Sequence, residues 1–364
     1  MPKRHMEQQP ISEWPEPVVA VQLIAESGIS SIPERYVKPL EDRPALVYAT
    51  CREPTVPVVD LGKLSVGSLD YSSELRSIAD ACAEWGIFHV ANHGVDAELA
   101  RAAMATWREF FHLPADEKQK LANSPATYEG YGSRLGVEEG AALDWGDYFF
   151  LHLLPCELKN LEKWPMQPSN CREVTEEYGR QMLKLCGALM KVLSMSLGLD
   201  VGFLQEKFGG EDNIGACIRV SFYPKCPQPE LTLGLSAHSD PGGLTVLLPD
   251  DRVPGLQVRK GDTWVPVQPL PGAFLVFIGD QIQVLTNSAY RSVDHRVVVN
   301  EAAERISIAF FYNPRSDLPL GPARELVTPE RPPLYPAMTF NEYRLYMRKK
   351  GPRGKSQVES LQAV

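Results

Sequence analysis

Residues 244–278 read LTVLLPDDRVPGLQVRKGDTWVPVQPLPGAFLVFI, and this stretch decides the fold class of the chain. Short runs of aliphatic, aromatic and β-branched residues are separated in it by Pro-Gly, Lys-Gly-Asp and Leu-Pro-Gly, which are turn sequences. Short strands at such spacing are typical of a β-barrel or a sandwich. Outward from this stretch, the same pattern predicts strands at 217–223, 231–237, 244–249, 255–259, 264–268, 273–278, 283–286, 293–299 and 305–312.

The N-terminal half of the chain has helical periodicity instead. Apolar residues recur at intervals of three or four from 172 to 197, which predicts a long amphipathic helix that supports the sheet. The other elements predicted outside the β-rich part are helices at 72–85, 96–111, 114–121 and 341–349, strands at 56–61, 87–90 and 147–154, and a glycine-rich loop at 126–140.

The fold predicted from these patterns is mainly β with α-helices, and the chain divides into four parts. Residues 1–55 are rich in proline, which predicts an extended N-terminal arm. Residues 56–200 are predicted to form a helical region packed on the barrel. Residues 201–350 contain the barrel core, and residues 351–364 are predicted to form a basic tail in solvent.

Composition narrows the class of protein. With 44% hydrophobic and 23% charged residues among 364, the sequence is typical of a globular protein rather than a disordered one. Its net charge of −9 argues against a nucleic-acid binder, and its apolar runs are too short to span a bilayer. The 7 cysteines include no C-x-x-C pair, and the polar stretch Met1–Pro10 is no secretory signal. We therefore expect a cytoplasmic protein, with the nucleus as an alternative.

A candidate metal site begins with His238 and Asp240, which are two residues apart in an extended segment. Side chains at this spacing point to the same face, so an imidazole and a carboxylate converge. His295, in a later predicted strand, supplies a third ligand. Two histidines and one carboxylate on one face of an octahedron are the ligand set of non-haem Fe(II) oxygenases, in which three positions stay open for reactants.

A candidate anion site follows in the next predicted strand. Arg305 and Ser307 share one face of this strand, so a guanidinium and a hydroxyl point together into the barrel. Such a pair binds a carboxylate by a bidentate contact and one further hydrogen bond. For Arg305 taken alone, the alternative is an arginine at a strand entrance with its charged group in water.

These motifs, with VPVVDL at 56–61, WGIFHVANHG at 85–94 and RVSFYPKCP at 219–227, resemble the plant Fe(II)/2-oxoglutarate-dependent dioxygenases over most of the chain. The resemblance implies a double-stranded β-helix core, a jelly roll, within 201–350. It also implies Fe(II) as cofactor and 2-oxoglutarate and O2 as co-substrates, with ascorbate as reductant. No catalytic residue beyond the iron centre is implied.

The same resemblance assigns roles to individual residues. Those implied for iron are His238, Asp240 and His295, and those implied for 2-oxoglutarate are Tyr223, Arg305 and Ser307. The chain departs from the family at Ser221, where an asparagine is usual. Because serine is shorter, a hydrogen bond made there is either lost or bridged by water.

Four stretches resemble most closely the jasmonate-induced oxygenases within this family. They are DWGDYFFLH at 144–152, HSDPGGLT at 238–245, FFYNPRSD at 310–317 and EYRLY at 342–346. This resemblance implies hydroxylation of jasmonic acid to hydroxyjasmonic acid, which inactivates the hormone, lowers jasmonate signalling and connects the enzyme with plant defence.

The residues themselves also predict a small apolar carboxylate as substrate. Arg219 shares a strand face with Tyr223, so it points into the barrel, where a buried cation needs an anion. Arg344, in the closing helix, is predicted to be a second arm of this clamp, and Phe150 and Phe311 to be apolar walls. The alternatives are a structural salt bridge for Arg219, a solvated helix face for Arg344 and core packing for the two phenylalanines.

Two rival functions remain at this point. The first is a flavonoid oxidase of the anthocyanidin synthase or flavonol synthase type, which needs a flat aromatic pocket and little use of two arginines. The second is a non-catalytic hormone-binding protein on the same barrel, against which the complete metal and anion motifs argue. Of the other histidines, His89 and His93 lack ligand spacing and are predicted to be core or turn residues, whereas His112 and His152 are predicted to be surface or hydrogen-bonded positions. The oligomeric state is left open.

Overall fold

The computed structural model of this chain describes residues 19–44, 55–64, 68–123, 128–133, 142–350 and 355–362. The helices are α1 (Val21–Glu26), α2 (Tyr71–Glu84), α3 (Ala97–Phe111), α4 (Ala115–Gln119), α5 (Cys171–Ser196), α6 (Phe203–Lys207), α7 (Asp280–Leu285), α8 (Phe340–Lys350) and α9 (Ser356–Glu359). The first seven strands are β1 (Val58–Asp60), β2 (Ile87–Ala91), β3 (Gly130–Ser133), β4 (Asp147–Leu154), β5 (Gly215–Tyr223), β6 (Leu235–His238) and β7 (Leu244–Leu248). The others are β8 (Leu256–Lys260), β9 (Thr263–Pro266), β10 (Phe274–Ile278), β11 (His295–Val297), β12 (Arg305–Asn313), β13 (Pro319–Leu320) and β14 (Met338–Thr339).

Two sheets form the core of the described part of the chain. The larger sheet has the strand order β1-β2-β10-β7-β12-β5-β4-β3, and the smaller one has the order β6-β11-β8-β9. Apart from the parallel pair β1 and β2, neighbouring strands in both sheets are antiparallel. This arrangement confirms the predicted fold class, a jelly-roll core with helices packed on it.

The long helix α5 supports the larger sheet, as its periodicity predicts. Its apolar stripe is buried, and the same hydrophobic cluster contains side chains of α3 and of the sheet. The stripe consists of Tyr178, Met182, Leu185, Leu189, Val192 and Leu193. Strands from residues 56–200 belong to the same sheet as those from residues 201–350, so both parts of the chain build one core. The proposed division at residues 55, 200 and 350 stays a prediction.

Two predicted elements are wrong. Residues 283–286 are predicted to be a strand, but residues 283–285 belong to helix α7, in which every side chain is buried, and Thr286 is its C-cap. A short helix that is buried all round has no amphipathic period, so its sequence does not distinguish it from a buried strand. Part of the loop predicted at 126–140 forms strand β3, which pairs with β4 although its Gly-Tyr-Gly-Ser sequence has little β-propensity.

Both ends of the described chain pack more closely than predicted. The predicted extended arm contains helix α1, whose first two amides, those of Val21 and Gln22, donate hydrogen bonds to the buried Asp147 carboxylate. In the predicted solvated tail, Val358 is fully buried in a cluster with Tyr335 and Tyr343. Residues 1–18, 45–54, 351–354 and 363–364 lie outside the described residues.

Two sequence-based expectations concern the cysteines and the membrane. The cysteines among the described residues are all free thiols. No helix in the part of the chain that the structure describes is both long and apolar enough to cross a bilayer.

Candidate active site

His238, Asp240 and His295 converge on one point, as their spacing predicts. His238 ends β6 and His295 begins β11, and the two residues are direct cross-strand partners. Nε2 of His238 lies 3.6 Å and Nε2 of His295 lies 3.8 Å from Oδ1 of Asp240. One ligand atom from each residue lies within 4.8 Å of the other two, which is close enough to share one metal ion.

The surroundings of these three residues suit a divalent cation. Nδ1 of His238 lies 2.9 Å from the carbonyl oxygen of Ser236, and Nδ1 of His295 lies 3.2 Å from that of Val293. Donation from Nδ1 to these carbonyls leaves each Nε2 lone pair directed at Asp240. Burial, together with the nearby His295, lowers the pKa of His238 to about 3, so this imidazole is neutral at physiological pH.

The Asp240 carboxylate supplies the third observation on metal binding. Its Oδ2 atom is buried and, among the described residues, has no hydrogen-bond partner. A buried carboxylate oxygen without a donor is costly unless a cation compensates it. The two imidazoles and this carboxylate therefore fit the iron that the sequence implies.

The predicted 2-oxoglutarate residues also lie together. Arg305 is directly opposite Tyr223 in the β12–β5 pair, and the Arg305 guanidinium lies 5.4 Å from the tyrosine ring centroid. Nη1 of Arg305 lies 3.4 Å from Oγ of Ser307, whereas its buried Nε has no partner within the described chain. Burial lowers the pKa of Arg305, but Tyr223 and Asp250 oppose this effect, so the side chain remains a cation that can bind a carboxylate.

Glycines on two neighbouring segments make room for Tyr223. A Cβ atom at Gly146 would come within 2.9 Å of the Tyr223 ring, and one at Gly234 within 2.6 Å. Larger residues at these positions would push the ring away from Arg305. Sequence reasoning missed both glycines, since nothing in their local sequence indicates what packs against them.

Ser221, the departure from the family pattern, lies between the two candidate binding regions. It is buried and stands opposite Ser307 on β12 and opposite Tyr148 on β4. That a hydrogen bond made by the family asparagine is lost or bridged by water here stays a prediction.

A cavity of about 310 Å³ opens beside the metal ligands. It is lined by all four predicted substrate residues, Arg219, Arg344, Phe150 and Phe311, and by His238 and Asp240. Part of its lining comes from paired residues of three adjacent strands. Phe150 stands opposite Arg219, and Cys217 stands opposite both His152 and Phe311.

Arg219 is a half-buried cation in the wall of this cavity. Its guanidinium stacks 4.5 Å from the centroid of the Tyr148 ring, and its buried Nε has no hydrogen-bond partner among the described residues. No acidic side chain of the described ranges forms an ion pair with it, which argues against a structural salt bridge. Arg344 reaches the cavity from α8, where its guanidinium lies 5.6 Å from the ring of Phe340.

Sequence reasoning missed several residues of the cavity wall. Tyr148, His152, Cys217 and Asn313 line it. His152, which was predicted to be a surface or hydrogen-bonded position, thus lines the cavity. The sequence did contain a signal that could have found them. Each of these residues lies two positions from a predicted substrate residue on the same strand, so both side chains point to the same face.

Comparison with known proteins agrees with this geometry. Residues 214–314 match the 2OG-Fe(II) oxygenase superfamily, and residues 56–170 match the family described as non-haem dioxygenase in morphine synthesis N-terminal. The chain is 58% identical to jasmonate-induced oxygenase 2 of Arabidopsis thaliana over 96% of its length and 94% of that protein. It is 40% identical to flavanone 3-dioxygenase 2 of Oryza sativa over 88% of the chain and 92% of that protein.

A solved structure agrees over the whole fold. The crystal structure of JOX2 in complex with 2OG, Fe and JA superposes with a TM-score of 0.90. The two sequences are 58% identical, and the match covers 97% of this chain and 100% of the JOX2 chain in the crystal.

Proposed function

Since this chain belongs to the 2OG-Fe(II) oxygenase superfamily, we propose that it hydroxylates jasmonic acid and thereby inactivates the hormone. The chain is a 2-oxoglutarate-dependent dioxygenase that uses Fe(II) as cofactor and 2-oxoglutarate as co-substrate. A non-catalytic hormone-binding role is therefore set aside. The relatives named for jasmonate induction and the JA in the JOX2 crystal support the choice of substrate.

His238, Asp240 and His295 hold the iron in this proposal. Their support is the converging geometry and the unpartnered Oδ2 of Asp240. Bound iron supplies O2 activation, in which one oxygen atom enters a substrate C–H bond and the other enters succinate as 2-oxoglutarate loses CO2. The chain contributes the position of the two imidazoles and the neutral state of His238.

Tyr223, Arg305 and Ser307 hold 2-oxoglutarate. The distal carboxylate of the co-substrate binds to Arg305 and Ser307, which compensates the buried guanidinium. Tyr223 lies against the same guanidinium, and it contacts the other end of the co-substrate. Arg305 and Ser307 lie on earlier rows of β12 than Phe311, and neither of them lines the large cavity.

The single observation that carries the substrate proposal is the Arg219 guanidinium, which lines the cavity and whose buried Nε lacks a partner in the described chain. A partly desolvated cation is costly unless an anion compensates it, and the cavity supplies space for one. Arg344 provides a second positive charge in the cavity wall. Phe150 and Phe311 flank these charges with apolar surface, so a carboxylate with an alkyl tail fits better than a neutral planar molecule.

The experiment that tests this proposal compares substrates on the purified, iron-loaded enzyme. Hydroxylated product and succinate are measured with jasmonic acid, its methyl ester, its isoleucine conjugate and a flavanone. We expect turnover of the free acid and poor turnover of the ester, which has no charge for the two arginines. The conjugate retains a carboxylate that is displaced by several bonds, so we also expect it to fit badly.

Arginine variants make the same test residue by residue. Arg219→Ala and Arg344→Ala are expected to raise the KM for jasmonic acid by about tenfold or more, since each loses a charge-assisted contact. Uncoupled decarboxylation of 2-oxoglutarate should persist in both, because the iron and co-substrate residues remain. Arg180→Ala, which removes an exposed guanidinium on α5, serves as the control. Preference for the ester or for the flavanone over the free acid would contradict the proposal.

The flavonoid oxidase is the second candidate, supported by the similarity to flavanone 3-dioxygenase 2. It predicts that a flavanone is turned over and that Arg219→Ala leaves its KM unchanged. The proposed location is the cytoplasm, with the nucleus as the alternative, and a reducing compartment suits the free cysteine thiols.

A further inference from the structure

The strand that carries His238 is an edge strand. In the described part of the smaller sheet, β6 pairs with β11 on one side and with no strand on the other. Its register with β11 also shifts between His295 and Val297. His295, in contrast, lies on a strand that is paired on both sides, by β6 and by β8. The sheet alone therefore fixes the position of His238 less firmly than that of His295.

A buried group of three polar side chains stands at the free edge of β6. Nζ of Lys38 lies 2.8 Å from Oδ1 of Asp144 and 3.0 Å from Oγ of Ser236. The Ser236 hydroxyl also donates to Oδ1 of Asp144, so each member of the group contacts the other two. The side chains of Lys38 and Asp144 are only 4% and 5% exposed.

Backbone hydrogen bonds fix this group to the segment before His238. The Lys38 amide donates to the Leu231 carbonyl over 2.8 Å, and the Trp145 amide donates to the Leu233 carbonyl over 2.7 Å. Nζ of Lys38 makes a third contact, 3.1 Å long, with the carbonyl of Ala142. The N-terminal arm and the segment before β4 thus hold the chain just before β6, at Leu231 and Leu233.

We infer that Lys38, Asp144 and Ser236 are positioning residues for the metal ligand His238. Ser236 is the link between this group and the metal ligand. Its carbonyl oxygen accepts a hydrogen bond from Nδ1 of His238 over 2.9 Å, and its hydroxyl is hydrogen-bonded to Lys38 and Asp144. Fixing this carbonyl fixes both the tautomer and the orientation of the imidazole, so Nε2 points at Asp240. The inference rests on the proposed assignment of His238 as an iron ligand.

A purely stabilising role accounts poorly for this group. Desolvation of a buried ion pair offsets much of its Coulomb attraction, so such pairs contribute little net stability compared with apolar packing. The group of Lys38, Asp144 and Ser236 lies beside the edge strand that carries a candidate metal ligand. This position indicates that the group fixes the geometry of that ligand. A positioning role predicts an effect on metal affinity that is separable from stability.

The test measures metal affinity without substrate or 2-oxoglutarate. Co(II) is titrated calorimetrically into the metal-free enzyme, and thermal unfolding of the metal-free form is measured beside it. The variants are Ser236→Ala and the double variant Lys38→Met/Asp144→Asn, which removes both charges together and leaves no single buried charge. The control is Lys191→Met/Glu211→Gln, which removes an exposed ion pair.

We expect the double variant to bind Co(II) about 10- to 100-fold more weakly, the range typical of groups that orient metal ligands. Ser236→Ala should weaken binding in the same direction by less, and the control should bind as the unmodified enzyme does. Raising the Fe(II) concentration should restore turnover in the double variant, because occupancy and not chemistry is reduced. Iron would not restore an enzyme whose defect is general misfolding.

Unchanged Co(II) affinity in both variants would overturn the inference. If the double variant fails to fold, Ser236→Ala decides alone, with weakened binding in support and unmodified binding against. His238→Ala separates this inference from the proposed function. If that variant binds Co(II) as tightly as the unmodified enzyme, the metal assignment itself is wrong and the inference fails with it.

Discussion

Arg219 and Arg305 lie at different levels of the β5–β12 pair. Arg305 stands opposite Tyr223, whereas Arg219 stands opposite Ala309, four residues earlier on β5. At about 3.4 Å per residue, the two backbone rows are roughly 14 Å apart, and of the two arginines Arg219 alone lines the cavity beside the metal ligands. We therefore propose separate cationic positions for the co-substrate and for the substrate.

The first prediction concerns Arg305. Replacing it with alanine removes a charge-assisted bidentate contact, which costs about 2–4 kcal/mol and raises the KM for 2-oxoglutarate by roughly 30- to 1000-fold. The dissociation constant for jasmonic acid should change far less, because Arg219 and Arg344 remain. Steady-state kinetics with 2-oxoglutarate as the varied substrate measures the effect.

Arg305→Lys is the matched variant, since it keeps the charge but loses the planar fork. Its KM for 2-oxoglutarate is expected to lie between those of the alanine variant and the unmodified enzyme. A KM that stays the same in both variants would remove Arg305 from the co-substrate site.

At the scale of elements, the carboxylate of Asp280 joins helices α7 and α8 to residues 238–240, which we call the metal loop because they include His238 and Asp240. Oδ2 of Asp280 accepts hydrogen bonds from Tyr343 over 2.7 Å and from Ser239 over 3.1 Å. Burial raises the pKa of Asp280 to about 6. Ser239 lies between the two metal ligands of the H-x-D motif, and Tyr343 precedes Arg344 in α8. The helix that carries a substrate arginine is thereby tied to the metal loop.

Tyr343→Phe tests this connection. Loss of one hydroxyl removes a hydrogen bond worth about 1 kcal/mol and leaves α8 less firmly held. We expect the KM for jasmonic acid to rise roughly three- to tenfold, while kcat and the KM for 2-oxoglutarate stay near their original values. Kinetics with each substrate varied in turn provides the measurement. Equal changes in both KM values would indicate general loosening instead of an effect on Arg344.

At the scale of the whole molecule, Asp250 joins the helical half to the barrel. Its Oδ2 accepts from Nη2 of Arg108 on α3 over 2.8 Å and from the amide of Ile306 on β12 over 3.1 Å. Burial on its own would raise the pKa of Asp250, but the hydrogen bonds from Arg108 and from the Ile306 and Arg252 amides outweigh it. The pKa of this carboxyl is lowered as a result.

The sign of the pH effect follows from this lowered pKa. The folded state binds fewer protons at Asp250 than the unfolded state, so its contribution is complete above the unfolded pKa of 3.8 and is lost as pH falls through the folded pKa. Asp250→Asn should lower the free energy of unfolding at pH 7 by about 1–3 kcal/mol. Urea titrations from pH 7 to 3 measure the difference in the free energy of unfolding between this variant and the unmodified enzyme, which should become smaller towards pH 3.

Asp317→Asn is the control for this prediction. Asp317 also pairs with an arginine, Arg315, but both side chains are largely exposed, so the pair contributes little. A pH-independent difference between the unmodified enzyme and Asp250→Asn would contradict the proposed role of the ionised carboxylate.

The sequence by itself determined the features that depend on local spacing. Residues two apart on a strand share a face, which is why His238 with Asp240, and Arg305 with Ser307, were recognisable as pairs. The stripe on α5 followed from its period of 3.6 residues in the same way. The convergence of His295 with the first pair also required the resemblance to a known family, because spacing alone does not bring distant strands together.

Only the tertiary structure decided the features that join distant segments. Lys38 and Asp144 are 106 positions apart, and Asp280 and Tyr343 are 63 apart, so no local pattern indicates that either pair meets. Helix α7 looked like a strand because burial on every side leaves a short segment without an amphipathic period. In each case, the position of a side chain depends on contacts that exist only after the sheets have formed, and the sequence encodes those contacts in the whole chain and not in any one stretch.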